Sequence, residues 1–353
     1  YKGFVRFIFG PLVKTISFLL TKISVLTRNN MSWESKIFQQ HSQESFAKIA
    51  LEIFKYQSHY NPVYKQYIQN LGLEISNIKS IRDIPFLPIE LFKSHDITCH
   101  RSEHQAIFTS SGTGGKTSTH KVWDLSIYEK SFVQTFSYFY GPIEDYTLLA
   151  LLPSYIERSG SSLIYMCEKL MMKSAKEENG FYLYNHDKLY NQIRKLENEG
   201  RKSILLGVSF GLLDFIHKKQ LKLDHMIVIE TGGMKGRRKE MIREELHKKL
   251  CQGFQVKNIH SEYGMTELMT QAYSTNNQIF KCPPWMKVYC RDSSDPLSSN
   301  QESGALNFID LANVHSCSFL ASQDLGKLYT DGSFKVLGRM DESQIRGCNL
   351  MVF

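Results

Sequence analysis

The chain has little proline and glycine, no paired cysteine motif, and no long apolar run that is free of charge. Its 353 residues include only 9 prolines and 22 glycines, too few for a collagen-like or low-complexity chain. Hydrophobic residues make up 42%, aromatic residues 12% and charged residues 22%. This balance is typical of a globular protein, and the length suggests about two structural units. Disordered, fibrous and coiled-coil chains are therefore excluded.

The cysteines lack the spacing of a zinc site or a disulfide framework. They are odd in number, no C-x-x-C pair occurs, and no histidine spacing completes a metal motif. The seven positions are Cys99, Cys167, Cys251, Cys282, Cys290, Cys317 and Cys348. We expect free thiols in a reducing cytoplasm, where a functional cysteine acts as a nucleophile.

Of the net charge of +8, residues 1–30 contribute +5, since they contain five basic and no acidic residues. Elsewhere basic residues alternate with acidic ones and do not form an arm or a stripe with interleaved aromatic residues. We therefore expect no nucleic-acid partner.

Residues 1–30 differ from the rest because they are apolar and basic and contain no acidic residue. Lys14 and Lys22 interrupt the apolar stretch that a signal peptide or a membrane-spanning helix requires. We favour Met31 as the real start of the protein, with residues 1–30 as an extension outside the fold and an ordinary helix in MSWESKIF that Ser32 caps. The alternative is an amphipathic helix that contacts a membrane surface.

From Met31 onward, helical and strand patterns alternate. Apolar residues at i, i+3, i+4, i+7 and i+8 predict a helix over 46–54 and another over 163–171. Buried strands are predicted at 146–152, 204–208 and 226–229, and an extended segment at Ala106–Thr109. A charged helix is predicted over 235–250, with pairs Glu244/Lys248 and Glu245/Lys249. A polar loop is predicted at 291–304, and strand-like runs fill the last fifty residues. This alternation predicts an α/β fold with a largely parallel sheet.

The segment TSSGTGGKTS, residues 109–118, is suited to binding phosphate. Its small residues let backbone N–H groups surround an anion, and Lys116 adds a positive charge. A P-loop is the weaker alternative, because Ser110 stands where its first glycine belongs and the following STHKVWDL alternates like a strand instead of opening a helix. A flexible hairpin turn is the other alternative.

Two further segments carry chemical groups at predicted strand ends. In IETGGMKG, residues 229–236, a glycine pair follows a buried strand, where ligands approach a parallel sheet. In HSEYGMTE, residues 260–267, an aromatic ring, a hydroxyl and a carboxylate occur close together. A ring can stack on a base and a carboxylate can bind Mg²⁺. Each segment taken alone is also typical of an ordinary turn.

In this order, SSGTGGK, TGG and YGMTE resemble the adenylate-forming superfamily, which includes acyl- and aryl-CoA ligases, firefly luciferase and adenylation domains. The segments FLPIELFKSHDI, LLPSYIERSGSSLIYM and GRMDESQIRGCNLM are similar to the acyl-protein synthetases of the bacterial bioluminescence fatty-acid reductase system. The resemblance runs from about Met31 to the end. It implies an α/β large domain over 31–338, with mostly parallel sheets flanked by helices. It also implies a hinge and short tail over 339–353, with the small mobile domain of larger relatives largely absent.

The resemblance implies ATP-dependent activation of a carboxylic acid, expected to be a fatty acid, as acyl-adenylate. The loop would surround the β- and γ-phosphates with Ser110, Ser111, Gly112, Thr113, Gly114, Gly115 and Lys116. Gly232, Gly233, Tyr263 and Gly264 would lie around the adenine, with the tyrosine ring stacked on it. Thr266 would contact phosphate, Glu267 would hold Mg²⁺, Asp324 would bind the ribose and Arg339 would reach the nucleotide. Two departures are the glycines at 114 and 115, where the family usually has a second threonine, and QDLG in place of TGD.

Cys348, in RGCNL, matches the position of the cysteine that carries the acyl group in these synthetases. Arg346 nearby would favour the thiolate, which is the nucleophilic form. The alternative for this residue is a cysteine that packs as a small apolar side chain. Other acceptors implied are a cysteine of a partner acyl reductase and coenzyme A.

Two other functions remain open from the sequence. One is a conventional acyl- or aryl-CoA ligase, and the other is a non-catalytic nucleotide-binding subunit of an acyl reductase complex. His120 and His260 flank the motifs, but adenylation needs no general base because a carboxylate is already nucleophilic at neutral pH. We therefore expect that neither histidine contacts substrate and that, at most, they orient the residues that do.

Deletion of residues 1–30 should leave thermal stability and activity unchanged. The reason is that the segment lacks acidic residues and helix caps and shows no resemblance to the family. The melting temperature and the activity of full-length and truncated protein should be compared. Loss of activity, or loss of membrane association, in the truncated protein would instead identify a functional helix.

Overall fold

The computed structural model describes residues 33–101, 103–110, 117–152, 160–232, 241–293, 295, 297–298 and 301–340. The predicted N-terminal extension and its Ser32 cap lie outside these residues. The chain divides into two units, 1–39 and 40–353. In the first unit the structure describes one short helix, α1, Trp33–Ile37.

The second unit contains the remaining helices and all the described strands. The helices are α2 Gln43–Tyr60, α3 Pro62–Asn70, α4 Leu125–Tyr140, α5 Ser162–Ser174, α6 His186–Asn198, α7 Ser209–Lys218 and α8 Arg243–Phe254. Short 3-10 helices lie at Ile75–Asn77, Ile89–Lys93, Ile143–Asp145 and Leu311–Asn313. The strands are β1 Leu87–Pro88, β2 Ala106–Thr109, β3 Thr119–Val122, β4 Thr147–Leu151, β5 Gly180–Tyr182, β6 Ser203–Val208, β7 Met226–Thr231, β8 His260–Tyr263, β9 Ala272–Ser274, β10 Met286–Arg291, β11 Ser303–Asp310, β12 Phe319–Leu328 and β13 Phe334–Arg339.

A six-stranded sheet forms the centre of the second unit, in the order β5-β4-β6-β7-β8-β9. All its neighbouring pairs are parallel except β8–β9, which is antiparallel. Every residue of β4 and β6 is buried, because helices cover both faces of such a sheet and the strands are continuous apolar runs. The strands predicted at 146–152, 204–208 and 226–229 are confirmed. The carboxyl ends of β6, β7 and β8 therefore lie at one edge of the sheet.

A second sheet has the order β1-β12-β11-β10, with β13 paired to β12. Its pairs are antiparallel apart from the parallel contact of β1 with β12. The expected parallel character thus applies to the central sheet, and the described part of the strand-like C-terminal region, up to residue 340, forms antiparallel strands. The α/β fold class is confirmed. The loop predicted at 291–304 is shorter than expected, because β10 includes Arg291 and β11 starts at Ser303.

The charged helix predicted over 235–250 begins later than expected. Residues 241 and 242 are not helical, and α8 runs from Arg243 to Phe254. Glu245 pairs with Lys249 at 2.8 Å, as predicted. The predicted Glu244/Lys248 pair is wrong, since the Glu244 carboxylate instead contacts Lys335 of β13 at 2.5 Å. Lys335 of β13 thus takes the place of Lys248 as the partner of Glu244.

No helix among the described residues combines the length and the apolar character that crossing a membrane requires.

Candidate active site

The predicted phosphate loop sits at the tip of the β2–β3 hairpin. The backbone N–H of Ser110 donates to the Ser118 carbonyl at 3.0 Å, and the Ser118 N–H donates to the Ser110 hydroxyl oxygen at 2.9 Å. These reciprocal bonds close the hairpin directly below the tip. The tip itself, Ser111, Gly112, Thr113, Gly114, Gly115 and Lys116, lies outside the described residues, so its phosphate contacts stay a prediction.

The strand after the loop decides against a P-loop. A P-loop leads directly into a helix whose N-terminus binds phosphate. Here Thr119–Val122 forms strand β3, which pairs antiparallel with β2. The expectation that STHKVWDL begins as a strand is confirmed.

Gly232 follows β7 at the edge of the central sheet. Its φ of +71° lies in the left-handed region that favours glycine. The Ser209 hydroxyl, at the start of α7, lies 2.7 Å from the Gly232 carbonyl oxygen and also reaches the Glu230 carboxylate, so these two acceptors share its one proton. This contact fixes the first turn of the TGG segment, while Gly233 lies outside the described residues.

Gly264 is required where the YGMTE segment leaves β8. A Cβ at this position would lie 2.5 Å from Oε1 of Glu262, a distance that a real Cβ contact does not reach. The backbone therefore turns closely over the Glu262 carboxyl. The Leu268 N–H then donates to the Met265 carbonyl at 3.1 Å, which closes the YGMTE turn.

Three side chains from other elements hold this turn. The buried Asp310 carboxylate accepts the Met269 N–H at 2.8 Å and the Thr270 hydroxyl at 2.6 Å. The Asn313 amide donates to the Glu267 carbonyl at 2.7 Å. Burial raises the pKa of Asp310 to about 6, although the Thr270 hydroxyl and the backbone donors oppose this shift.

His120 of β3 is the third of these side chains. Its Nδ1 lies 2.8 Å from the Thr266 carbonyl oxygen; that oxygen can only accept, so Nδ1 carries the proton. Burial lowers the pKa of His120 to about 4, which keeps the ring neutral. His120 therefore joins the hairpin to the YGMTE turn through a hydrogen bond that uses its Nδ1 proton.

Glu267 lies between the hairpin and the second sheet. Only 5% of the residue is exposed, and burial raises the pKa of its carboxyl. The Ser118 hydroxyl and the charges of Arg339 and Lys93 act in the opposite direction, toward the ionised form. Glu267 is thus a buried carboxyl group with two cations near it.

Tyr263, Asp324 and Arg339 form a connected group across the two sheets. The Tyr263 hydroxyl donates to Oδ2 of Asp324 at 2.6 Å. Nε of Arg339 lies 3.6 Å from Oδ1 of the same aspartate, because the two residues are register partners on β12 and β13. The Tyr263 ring is buried and stacks on Phe308, with centroids 5.4 Å apart. The stacking of Tyr263 on adenine stays a prediction.

The structure adds residues that the sequence motifs did not identify. The FLPIELFK segment places Phe92 edge-on against His120, with ring centroids 5.5 Å apart, and brings Lys93 near Glu267. Asp310 and Asn313 belong to no motif, although the asparagine and aspartate flanking a short 3-10 helix are a local signal of side-chain capping. Cys348 and the whole tail after Met340 lie outside the described residues.

A family model described as "Acyl-protein synthetase, LuxE" matches residues 25–353. The chain belongs to this LuxE acyl-protein synthetase family. The predicted family is confirmed, and the activity of an acyl-protein synthetase stays a prediction. The match begins before Met31, so the boundary predicted at residues 30 and 31 falls inside the matched range and stays a prediction. No curated protein sequence matches the chain.

Solved structures of adenylate-forming enzymes share the fold. ATP-bound MatB from Rhodopseudomonas palustris is 16% identical, with a TM-score of 0.52 over 66% of this chain and 48% of that chain. The 2-hydroxyisobutyryl-CoA ligase in complex with 2-HIB-AMP and CoA is 14% identical, with a TM-score of 0.64 over 86% of this chain and 70% of that chain. The LuxE-family chain thus spans about half the length of the MatB structures that it matches.

The substitution Asp310→Asn should loosen the YGMTE turn. An amide offers one acceptor oxygen in place of two and turns an N–H₂ group toward existing donors. We expect the free energy of unfolding to fall by about 2 kcal/mol, the size of a hydrogen bond to a charged group. Urea unfolding and amide hydrogen exchange of a peptide covering 265–270 measure the two effects.

Asp187→Asn is the matched control, because Asp187 forms an exposed ion pair with Lys219, and exposed pairs contribute little to stability. If Asp310→Asn changes stability and hydrogen exchange no more than the control does, Asp310 does not anchor the turn.

Proposed function

We propose that this LuxE-family chain activates a carboxylic acid with ATP to form an acyl-adenylate and then passes the acyl group to a thiol. The observation that carries the proposal is the series of contacts from Tyr263 through Asp324 to Arg339, whose charge also acts on the buried Glu267 carboxyl. Family membership and the shared fold support it. The ATP named in the MatB structure title supports the choice of nucleotide.

In this proposal the nucleotide lies across the edge of the central sheet. The hairpin tip, residues 110–116, binds the β- and γ-phosphates, and Lys116 offsets their charge. Gly232 and Tyr263 border the adenine, and Asp324 accepts hydrogen bonds from the ribose hydroxyls. The Tyr263 hydroxyl and Arg339 hold the Asp324 carboxylate in position for that role.

Magnesium fits the donor chemistry of Glu267. The ion prefers oxygen ligands and usually binds through one or two carboxylates together with phosphates and water. Within the described residues no cluster of three or more carboxylate, histidine or cysteine side chains is arranged to hold a metal, so phosphate and water would complete the coordination. Bound there, Mg²⁺ would neutralise phosphate charge.

The chemical step needs no general base. A carboxylate oxygen of the acid attacks the α-phosphorus of ATP, the bond from that phosphorus to the bridging oxygen breaks, and pyrophosphate leaves with the electron pair. Catalysis is then positioning plus stabilisation of the developing charge. Neutral His120, whose Nδ1 proton is bound by the Thr266 carbonyl, acts by holding the turn.

The acceptor thiol is proposed to lie in the tail, at Cys348, or on a partner acyl reductase. Burial raises the pKa of all six described cysteine thiols, namely Cys99, Cys167, Cys251, Cys282, Cys290 and Cys317. Thiols with raised pKa values are poor nucleophiles at neutral pH, because the thiolate is the reactive form. This supports an acceptor outside the described residues. A cytoplasmic location and a fatty acyl chain belong to the same proposal.

A CoA ligase is the second candidate. It is favoured by the similarity to 2-hydroxyisobutyryl-CoA ligase, whose structure title names CoA. In that case free CoA takes the acyl group and no acyl-protein forms.

Glu267→Gln should abolish acid-dependent exchange of labelled pyrophosphate into ATP while the protein stays folded. The amide keeps the size of the side chain but removes the negative charge that binds Mg²⁺. Exchange is measured over a range of Mg²⁺ concentrations. Glu245→Gln, which changes an exposed helix residue, is the matched control and should exchange like the parent. Parent-rate exchange by Glu267→Gln at every Mg²⁺ concentration would show that the metal assignment is wrong.

Cys348→Ser should separate the two half-reactions. Adenylation uses no thiol, so pyrophosphate exchange should persist. The hydroxyl of serine ionises far above the roughly 8.5 of a free thiol, so covalent acyl-protein should disappear. Protein is incubated with ATP, Mg²⁺ and labelled fatty acid, denatured, and tested for label that hydroxylamine releases.

Cys251→Ser, at a partly exposed cysteine, is the control and should keep its label. Label that survives in Cys348→Ser and is found on another cysteine would remove Cys348 from the mechanism. Exchange without label on any of the three proteins would instead indicate transfer to CoA or to a partner.

A further inference from the structure

A second buried carboxyl group, on Glu262, lies directly beneath the site and has no role in the mechanism above. Glu262 precedes Tyr263 on β8, and only 7% of it is exposed. Thr231, the last residue of β7, is its register partner. The carboxyl therefore lies at the junction of the TGG and YGMTE turns.

Both carboxyl oxygens of Glu262 are directed at these turns. The Thr231 hydroxyl donates a hydrogen bond to Oε2. Oε1 lies 2.5 Å from the position that a Cβ atom on residue 264 would occupy, and so fills the space beside the Gly264 Cα. A change in the charge or position of this carboxyl thus acts directly on the backbone that carries Thr266 and Glu267.

A second glutamate on the neighbouring strand keeps its charge. Glu230 of β7 accepts a hydrogen bond from Ser209, and its Oε2 lies 3.9 Å from Nε2 of His247. Burial opposes ionisation of Glu230, but His247, Arg243 and Ser209 outweigh it and lower the pKa of this carboxyl. Glu230 therefore holds a negative charge on the strand beside Glu262, on the opposite face of the sheet.

The surroundings of Glu262 favour its neutral form. Burial raises the pKa of Glu262 to about 7, and the Glu230 charge adds to that shift, while the Thr231 hydroxyl and Arg243 oppose it. The other titratable groups that face Glu262 come from α4, α5 and β9. They are Tyr128, Tyr140, Cys167 and Tyr273, and burial raises the pKa of each, so they are neutral as well.

We propose that Glu262 is a positioning residue that must be uncharged for ATP to bind. In the neutral form the carboxyl supports the turn over Gly264 without adding charge. In the ionised form it places a second negative charge inside the central sheet and against the Gly264 backbone, in the turn that carries Thr266 and Glu267. This inference rests on the proposed nucleotide site, and it assigns that site a dependence on pH.

The sign of the pH dependence follows from this charge. Below about pH 7 Glu262 is protonated and ATP binds with full affinity. Above it, each pH unit should weaken binding up to about tenfold, the limit for the release of one proton. Glu262→Gln mimics the neutral carboxyl in size and can accept the Thr231 hydrogen bond, so it should lose this dependence.

The test is calorimetric titration of Mg·ATP into the parent, Glu262→Gln and Glu245→Gln between about pH 6 and about pH 8. All three proteins are titrated in the same buffers. The effect of ATP ionisation on the dissociation constants is therefore the same for each and cancels in their ratios. The ratio of parent to Glu262→Gln should rise several-fold across this range. The ratio of parent to the Glu245→Gln control should stay constant.

Infrared difference spectroscopy of the same proteins provides a readout that needs no nucleotide. The parent should show a protonated-carboxyl band that disappears with a midpoint near pH 7 and is missing from Glu262→Gln. A constant parent-to-variant ratio in the presence of pyrophosphate exchange would overturn the inference and leave the proposed function standing. Absence of both ATP binding and exchange would overturn the two together.

Discussion

The site depends on two carboxylates of the antiparallel sheet, which accept hydrogen bonds from the end of β8 and from the segment that follows it. Asp310 on β11 accepts the Met269 N–H and the Thr270 hydroxyl, and Asp324 on β12 accepts the Tyr263 hydroxyl. Together with the bonds of His120 and Asn313 to the Thr266 and Glu267 carbonyls, these bonds fix the YGMTE turn from outside its own strand. Asp324 contacts the residue before the turn and Asp310 contacts the residues after it, so the segment between these contacts has little freedom to move.

Electrostatics follow from the same arrangement. The turn carries Glu267 into a buried space where the charges of Arg339 and Lys93 offset the desolvation of the carboxylate. A low-dielectric space with fixed donors stabilises developing charge more strongly than water does. The proposed chemistry therefore requires the protein chiefly to position charged groups. The neutral His120 ring is consistent with this, because it adds no charge of its own.

The sequence predicted the frame of the fold because buried strands are continuous apolar runs. The runs at β4, β6 and β7 and the extended Ala106–Thr109 segment were all recognisable in this way. The start of α8 was not, because residues 235–242 are charged without an apolar period. Glu244 found Lys335, which lies 91 positions away in sequence, and a rule for local i, i+4 pairs cannot anticipate such a partner.

The candidate site was predictable only as separate motifs. Tyr263 and Asp324 lie 61 residues apart and meet through the packing of two sheets. Asp310 and Asn313 lie outside the chemical motifs of the sequence, and Glu262, although it lies within HSEYGMTE, has its hydrogen-bond partner Thr231 in another segment. Their roles come from hydrogen bonds that form only after the sheets have packed.

The central claim is that this chain joins ATP to a carboxylic acid. The most direct measurement is exchange of labelled pyrophosphate into ATP with the parent protein, over a panel of carboxylic acids that includes fatty acids of increasing length. The account predicts exchange that requires both Mg²⁺ and an acid, and that is fastest with a fatty acid. Absence of exchange with every acid, in protein that is folded and binds ATP, would contradict the account and favour a non-catalytic nucleotide-binding subunit.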